Sequence, residues 1–294
     1  MRTGVGFLIL AMALTPAVDG VAKTLSGSHA PMTIAFLRYL SAGLIALALA
    51  RLAGRRIVVP AGDRLGQVWR TALIMGAMTA LIAALGMAPM AKAVGGFLIA
   101  PVVSGLLGVL VWGERATVPR LVGSAIAAAG AAALMRPETG LDAGSLLALG
   151  GGALLGTYLA ATRGAAARTD ALSTLAVQCL LGAAMLAPFA FAAGLPAPTP
   201  ELGLAALALG GVSATCHLLT VAAYRRAEAS VLAPFLYFNM IAALGVGYLW
   251  FGETLGAAEL AGLAGIAAGG LVTLMRGAPS AARARPWRRR ATFA

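Results

Sequence analysis

Three charged residues lie inside the first two apolar segments of the sequence. Asp19 and Lys23 are four positions apart, and Arg38 follows early in the second segment. Side chains four positions apart share one face of a helix, and an ionised group inside a membrane costs about 2.5–3.5 kcal/mol on insertion scales. We therefore expect an ion-paired outer gate or a site for a charged substrate. The alternative is an Asp19–Lys23 pair at the helix end, with Arg38 extended towards the headgroups.

A second polar group follows Pro234, where the missing backbone N–H frees a carbonyl. Tyr237 and Asn239 then lie close to the middle of an apolar segment. The Asn239 amide needs hydrogen-bond partners there, from a substrate or from a neighbouring helix. His217, in the preceding segment, is predicted to bind substrate or carry a proton, or else to bond a neighbouring helix. Tyr158 and Gln178 are further candidates.

Ten apolar segments must position these side chains. Hydrophobic residues make up 60% of the 294 residues and charged residues 11%, against about 45–50% and 25% in soluble domains. Runs of about 18–23 residues are long enough to cross a bilayer as helices. The predicted helices are 4–22, 31–51, 69–88, 94–112, 118–135, 144–162, 171–193, 201–222, 230–251 and 256–275. The sequence therefore predicts an all-α polytopic membrane protein, not a soluble enzyme.

Lysines and arginines account for the net charge of +12. They concentrate at alternate connections between the predicted helices, where Arg70 is counted at the start of the predicted helix 69–88. Because cytoplasmic loops are enriched in these residues, both termini are predicted to be cytoplasmic. The basic segment 277–294 suits an anionic inner leaflet and is too short for a nucleic-acid domain. The first segment is interpreted as a retained helix, since polar residues and Pro16 occupy the place of a signal-peptide cleavage site.

Motifs of enzymatic chemistry are missing from the sequence. It contains no Walker motif or Gly-rich phosphate loop, and Cys179 and Cys216 lie inside apolar segments without metal-ligand spacing. No catalytic residue, cofactor or metal ion is therefore predicted. A membrane-embedded lipid enzyme is a distant alternative, because the scattered polar residues do not form a catalytic cluster.

The chain also repeats itself. A shift of 139 positions aligns Gly113-Glu114 with Gly252-Glu253, and Gly123 and Gly130 with Gly262 and Gly269. The predicted repeats, 4–136 and 144–276, hold five helices each, so the second must be inverted relative to the first. Inverted repeats are typical of alternating-access transporters, whose substrate site lies near the midplane. Glu114 and Glu253 are predicted to be structural, accepting N–H groups at the start of the following helix.

These features together resemble a known family. The two Gly-Glu pairs, the glycines that follow them, Pro101 thirteen residues before Glu114, and Ala233-Pro234-Phe235 with Tyr237 are similar to the ten-helix EamA-type members of the drug/metabolite transporter superfamily. The resemblance covers about residues 4–276. Breaks are predicted at three prolines, Pro16, Pro101 and Pro234.

The resemblance implies a secondary transporter, since many similar members export amino acids and other metabolites. It also implies a central cavity formed mainly by helices one, three, four, six, eight and nine. The residues that this implication places near the pathway are Met78, Thr79, Tyr158, His217, Tyr237 and Asn239. We therefore predict export of amino acids or similar small polar metabolites across a bacterial-type inner membrane. The alternatives are a drug or cation exporter and an uptake carrier for a nucleotide-like metabolite.

Overall fold

The computed structural model describes residues 2–57, 64–112, 117–135, 142–162, 171–226 and 232–274, and within these ranges every regular element is a helix. The helices are α1 (Arg2–Leu25), α2 (Pro31–Leu52), α3 (Arg64–Met87), α4 (Met90–Phe97), α5 (Ala100–Trp112), α6 (Val118–Met135), α7 (Ala143–Thr162), α8 (Ala171–Ala192), α9 (Pro200–Tyr224), a 3-10 turn (Ala233–Tyr237), α10 (Phe238–Phe251) and α11 (Ala257–Leu274).

These helices form ten apolar crossings. Seven are long and apolar enough to span a membrane, with α4 and α5 counted together, and three are shorter apolar helices. Small residues such as Ala22, Ala77 and Ala84 are fully buried, whereas Leu110 and Leu249 are 79% and 77% exposed. This distribution suits a lipid solvent, where large apolar side chains face the hydrocarbon and small residues let helices approach closely.

The packing of the two halves follows a pseudo-twofold pattern. Helix α1 packs against α9, as its equivalent α7 packs against α3, while α2 packs against α8 and α6 against α11. Every one of these contacts joins the first half to the second. The prediction of an all-α membrane protein built from two five-helix repeats is confirmed.

The crossing of α6 and α11 shows that these equivalent helices are antiparallel. Gly269 lies against Gly123, where an added Cβ would be 2.5 Å from the Gly123 oxygen, and Gly262 lies against Gly130, with 2.8 Å to the Gly130 oxygen. From Gly123 to Gly130 the chain advances seven residues along α6, whereas their partners, Gly269 and Gly262, go back seven residues along α11. The two helices therefore run in opposite directions. The four glycines that the repeat aligns therefore form one symmetrical contact.

The fourth crossing of each half is interrupted at equivalent positions. Helix α4 ends at Phe97 and α5 begins at Ala100, while the 3-10 turn ends at Tyr237 and α10 begins directly after it. Leu98, in the first interruption, and Tyr237 are 139 positions apart. Pro101 and Pro234 are each the second residue of the element that they open, where a missing N–H costs little. Discontinuous helices of this kind line the substrate sites of many membrane transporters.

Three sequence-based expectations about helices are wrong in detail. Helix α1 continues through Pro16 without a break, since membrane helices tolerate proline where neighbouring groups satisfy the freed backbone; the adjacent Thr15 hydroxyl donates to the Ala11 carbonyl at 2.9 Å. Helix α3 begins at Arg64 and not at residue 69, so Arg70 lies six residues inside the helix and is 8% exposed, whereas it was expected at the helix start. Lys92 falls between the predicted helices 69–88 and 94–112 but is a buried residue of α4.

Candidate functional site

A network of polar contacts closes one end of the helix bundle. The Lys23 ammonium lies 3.0 Å from Glu253 Oε1 and donates to the backbone carbonyls of Leu85 at 2.9 Å and Ala88 at 2.6 Å. Glu253 Oε2 in turn accepts the Met90 N–H at 2.7 Å. These contacts join α1, the end of α3, the start of α4 and the end of α10. We call this side of the bundle the Lys23 end and the opposite side the Arg55 end.

The Gly-Glu pair explains how Glu253 reaches this network. Gly252 adopts a left-handed conformation with φ of 62° and caps α10, a conformation that glycine takes without steric cost. The Glu253 N–H bonds back to the Gly247 carbonyl at 3.0 Å. A Cβ at Gly247 would lie 2.8 Å from Glu253 Oε2, so this glycine leaves room for the carboxylate. Glu253 therefore serves the start of α4, and the expectation that it serves the following helix is wrong.

Asp19 and Arg38 form a second ion pair, about one turn deeper than Lys23 along α1. Arg38 Nη1 lies 3.2 Å from Asp19 Oδ1, and Arg38 Nε donates to the Ser213 hydroxyl at 3.0 Å. Asp19 is 2% exposed. The alternative arrangement, an Asp19–Lys23 pair with Arg38 extended to the headgroups, is not observed. Arg38 is paired with Asp19, and Lys23 is paired with Glu253. The pair connects α1, α2 and α9.

Lys92 and Asp142 add a third contact at the Lys23 end. Lys92 Nζ lies 2.9 Å from Asp142 Oδ2, and Asp142 also accepts the Ser145 N–H and hydroxyl, both at 2.7 Å. The hydrogen bond from Lys92 and those from Ser145 lower the pKa of the Asp142 carboxyl to about 2. Asp142 thus caps α7 and ties it to α4.

Tyr158 and Gln178 meet towards the Arg55 end. The Tyr158 hydroxyl lies 3.2 Å from Gln178 Oε1 and 3.1 Å from Gln178 Nε2, linking α7 to α8. Arg70 of α3 donates to Gln67 Oε1 at 3.2 Å. The predicted helix 69–88 placed Arg70 at its first turn, whereas α3 begins at Arg64 and Arg70 lies six residues inside it.

Asn239 and Tyr237 point to different parts of the bundle. Asn239 is 8% exposed, and its amide has no hydrogen-bond partner among the residues that the structure describes. It shares a helix face with Val246 and Trp250, which contact Gly20 of α1. Tyr237 lies with its hydroxyl against Gly270 of α11. Asn239 therefore faces the interior between the halves, whereas Tyr237 packs towards α11, which pairs with α6.

The remaining candidates line the central helices. His217 is half-buried and lies one turn after Ser213, on the same face of α9. Met78 packs against the central core, and Thr79 is 8% exposed with its hydroxyl bonded to the Met75 carbonyl at 2.9 Å. Glu114 and the basic segment 277–294 lie outside the described residues.

Comparison with known proteins gives a family and a fold. The profile of the EamA-like transporter family matches residues 2–136 and 142–275. Sixteen chains of solved structures match; one, described as a crystal structure of a protein, has a TM-score of 0.65 at 21% identity, over 92% of this chain and 95% of that chain. At this identity the likeness shows the fold alone. No curated protein matches the sequence.

Proposed function

Because the chain belongs to the EamA-like transporter family and is a membrane transporter of the drug/metabolite type, we propose that it exports amino acids or similarly sized polar metabolites by alternating access. In this proposal residues 4–136 and 144–276 are the two moving halves in a bacterial-type inner membrane. Both termini are cytoplasmic, so the Lys23 end faces outward. This orientation is supported by Arg51, Arg55 and Arg225, which cluster at the other end.

The observation that carries the proposal is the set of ionic contacts between described residues at the Lys23 end of the bundle. Lys23–Glu253 and Lys92–Asp142 each join a residue of the first half to one of the second, and Ser213 of the second half bonds Arg38 of the first. Rocking of the halves about the centre must break such contacts to open this end. A closed outer end with breakable polar contacts is what an alternating-access cycle requires.

The interior supports a small polar substrate. Asn239 offers two amide donors and one carbonyl acceptor without a hydrogen bond to other described residues. His217 and Thr79 lie on α9 and α3, which pack against α1 as α10 does. A buried amide without partners costs free energy, which a polar ligand recovers when it binds. Amino acids carry the donors and acceptors that such a site needs.

A cation exporter fits these contacts less well. It requires an anionic residue open to the central cavity, and Asp19 is already paired with Arg38 at 3.2 Å. Glu253 is likewise held by Lys23 and by the Met90 N–H. A cationic drug would have to displace a protein cation from each carboxylate.

Transport by the purified chain in liposomes tests the proposal. Vesicles are loaded with each of the twenty radiolabelled amino acids, and efflux is measured for the wild type and for Asp19→Asn, His217→Ala and Asn239→Ala. We expect saturable efflux of one class of amino acids and a loss of about tenfold in Asn239→Ala, since a hydrogen bond to a charged group contributes about 1.5–3 kcal/mol. Tyr248→Phe is the control, because Tyr248 is on the same helix but 63% exposed.

Two results would contradict the proposal. One is an absence of efflux for every amino acid, with protein that is folded and inserted. The other is full efflux in all three variants at normal expression, which would place the pathway elsewhere.

A further inference from the structure

The Asp19–Arg38 ion pair leaves one acceptor and several donors unused. Arg38 Nη1 donates to Asp19 Oδ1 at 3.2 Å, and Arg38 Nε donates to the Ser213 hydroxyl at 3.0 Å. Asp19 Oδ2 and Arg38 Nη2 make no hydrogen bond to any described residue. Neither atom is fully enclosed by the protein, so both border open space. A guanidinium and a carboxylate can join through two parallel bonds, whereas this pair uses one.

The pair lies directly inside the closed end of the bundle. Asp19 is one helical turn before Lys23, whose contacts with Glu253 and with the end of α3 close the Lys23 end. Arg38 is the eighth residue of α2, which begins at that same end. The unused atoms therefore lie between the outer polar network and the interior that Asn239 faces.

The equivalent place in the second half holds no charge. A shift of 139 positions takes Asp19 to Tyr158, and Gln178 is 140 positions after Arg38. Tyr158 and Gln178 bond each other between α7 and α8, as Asp19 and Arg38 do between α1 and α2. A neutral pair therefore suffices to join these equivalent helices. An ionised side chain within a membrane is costly and by default indicates function.

We propose that the Asp19–Arg38 pair binds the zwitterionic head group of the transported substrate. The remaining N–H groups of Arg38 fit a carboxylate, and Asp19 Oδ2 accepts a hydrogen bond from an ammonium. The pair has no net charge and a zwitterion has none, so binding adds no uncompensated charge to the membrane interior. A net anion or cation would add one, and an unpaired buried charge is costly.

This inference rests on the proposed function and narrows it. The substrate class becomes small zwitterions, α-amino acids above all, recognised by both charges of the head group. Because the Lys23 end is closed beyond the pair, the rest of the substrate extends towards the interior. Asn239 lies there without a hydrogen bond to another described residue. Asp19 and Arg38 then select the head group, and Asn239 contacts the substrate side chain.

Ligand-induced thermal stabilisation of the full-length chain in detergent tests the inference apart from transport. The probes are amino acids with uncharged side chains, their carboxamides, which are cations at neutral pH, and their N-acetyl derivatives, which are anions. A ligand stabilises the state that it binds, so titrations of melting temperature give half-saturating concentrations. For the wild type we expect both blocked forms to bind at least about tenfold more weakly than the parent amino acid, as expected for the loss of a hydrogen bond to a charged group.

Removal of one charge at a time is expected to shift the preference in opposite directions. Asp19→Asn leaves Arg38 without its carboxylate, so the anionic N-acetyl form gains relative to the carboxamide. Arg38→Gln leaves Asp19 without its cation and reverses that order. A pair with a merely structural role would weaken all three forms alike. Arg51→Gln is the matched control, since Arg51 is exposed at the end of the same helix.

A double variant covers the case in which a single variant does not fold. Asp19→Asn/Arg38→Gln places two neutral side chains at the site, as Tyr158 and Gln178 are in the second half. No uncompensated charge is then buried. This variant is expected to bind the three forms of each amino acid about equally, because neither charge of the head group is recognised.

Three outcomes overturn the inference. They are no stabilisation of the wild type by any amino acid, equal stabilisation of the wild type by parent and blocked forms, and a wild-type order of preference in a folded single variant or in the double variant. Zwitterion-selective binding without efflux from liposomes would leave the Asp19–Arg38 site in place and reject the proposed export. Efflux of amino acids without that selectivity would reject the site alone, so the two failures are distinguishable.

Discussion

The ammonium group of Lys23 is surrounded by three acceptors. It contacts one carboxylate oxygen and two backbone carbonyls within 3.0 Å, and a lysine has three N–H donors. The carbonyls of Leu85 and Ala88 can only accept hydrogen bonds. The position therefore needs a donor with a positive charge, and not merely one partner of an ion pair.

This coordination predicts that exchanging the two charges does not restore stability. Lys23→Glu alone is expected to cost about 3 kcal/mol, the range for breaking a buried pair. The double variant Lys23→Glu/Glu253→Lys is expected to be at least as unstable, because the new carboxylate faces two carbonyls. Melting temperatures of the single and double variants form the required cycle. Recovery of wild-type stability in the double variant would contradict the assignment.

Asp142 predicts a particular dependence of stability on pH. Its pKa in the folded chain is about 2, below the ordinary 3.8, so the charged form stabilises the fold above about pH 4. That contribution is lost as the pH falls from about 4 to about 2. Because the Asp142 side chain is 45% exposed, the ion pair itself contributes about 1 kcal/mol at most.

Two substitutions of Asp142 distinguish the stability contributed by the ion pair with Lys92 from that contributed by the helix cap. Asp142→Asn keeps a residue that caps helices well. It is expected to lose the contribution of the charged form, about 1 kcal/mol at most, and with it the dependence on pH between about 4 and 2. Asp142→Ala is expected to lose a further 1 kcal/mol or so, with the cap on Ser145. Melting curves between pH 2 and 7 measure both. Identical acid sensitivity in wild type and Asp142→Asn would reject the shifted pKa.

At the scale of helices, glycine decides which pairs approach most closely. The α6–α11 crossing brings backbone atoms to the positions that side chains would occupy: a Cβ at Gly262 meets the Leu134 nitrogen at 2.5 Å, and one at Gly130 meets the Ile266 nitrogen at 2.5 Å. The α2–α8 crossing uses Gly43 and Gly182, which are also 139 positions apart. Helices in lipid have no hydrophobic driving force to associate, so their pairing depends on such close contact.

Replacing one of these glycines tests the crossing. Gly262→Ala is expected to destabilise the chain by about 1–3 kcal/mol, the usual cost of overpacking, because the opposing atoms are backbone and cannot rotate away. Gly245→Ala is the control, since nothing lies within 4 Å of its Cβ position. Unfolding in a detergent titration measures both. Equal stability of the two variants would show that the helices are further apart than described.

At the scale of the whole molecule, the Lys23 end is sealed where the two halves meet. A Cβ at Gly144 would lie 3.0 Å from the Cβ of Met87, which joins the start of α7 to the end of α3. That spacing is slightly below the usual Cβ–Cβ distance of a disulfide, about 3.5–4.5 Å, and a small shift makes it compatible. A covalent link at this point fixes the two halves together at one end.

The double variant Met87→Cys/Gly144→Cys is expected to block a complete transport cycle when oxidised and to recover after reduction. The physical reason is that alternating access requires this end to open. Efflux of the preferred amino acid from liposomes measures the effect, in a background with Cys179 and Cys216 replaced. The two single-cysteine variants are controls for oxidation itself. Undiminished efflux with a verified disulfide would reject alternating access at this end.

The sequence by itself determined the number of crossings, the two repeats and their inversion. These follow from local quantities: the length of apolar runs, the identity of Gly and Pro at their ends, and the odd number of helices per repeat. Helices in lipid must satisfy their own backbone, so hydropathy alone locates them. The prediction failed where charge and hydropathy conflict. Arg70 was placed at the start of its helix and Lys92 between two helices, although Arg70 lies six residues inside α3 and Lys92 lies inside α4.

Only the tertiary structure decided which polar side chain meets which. Lys23 pairs with Glu253 rather than with Asp19, four positions away, because the left-handed turn at Gly252 brings a carboxylate from the far end of the chain. Asp19 and Tyr158 have equivalent places, yet one has a cation as its neighbour and the other an amide. Partners of this kind depend on how separate helices pack in three dimensions, and no local pattern of residues contains that information.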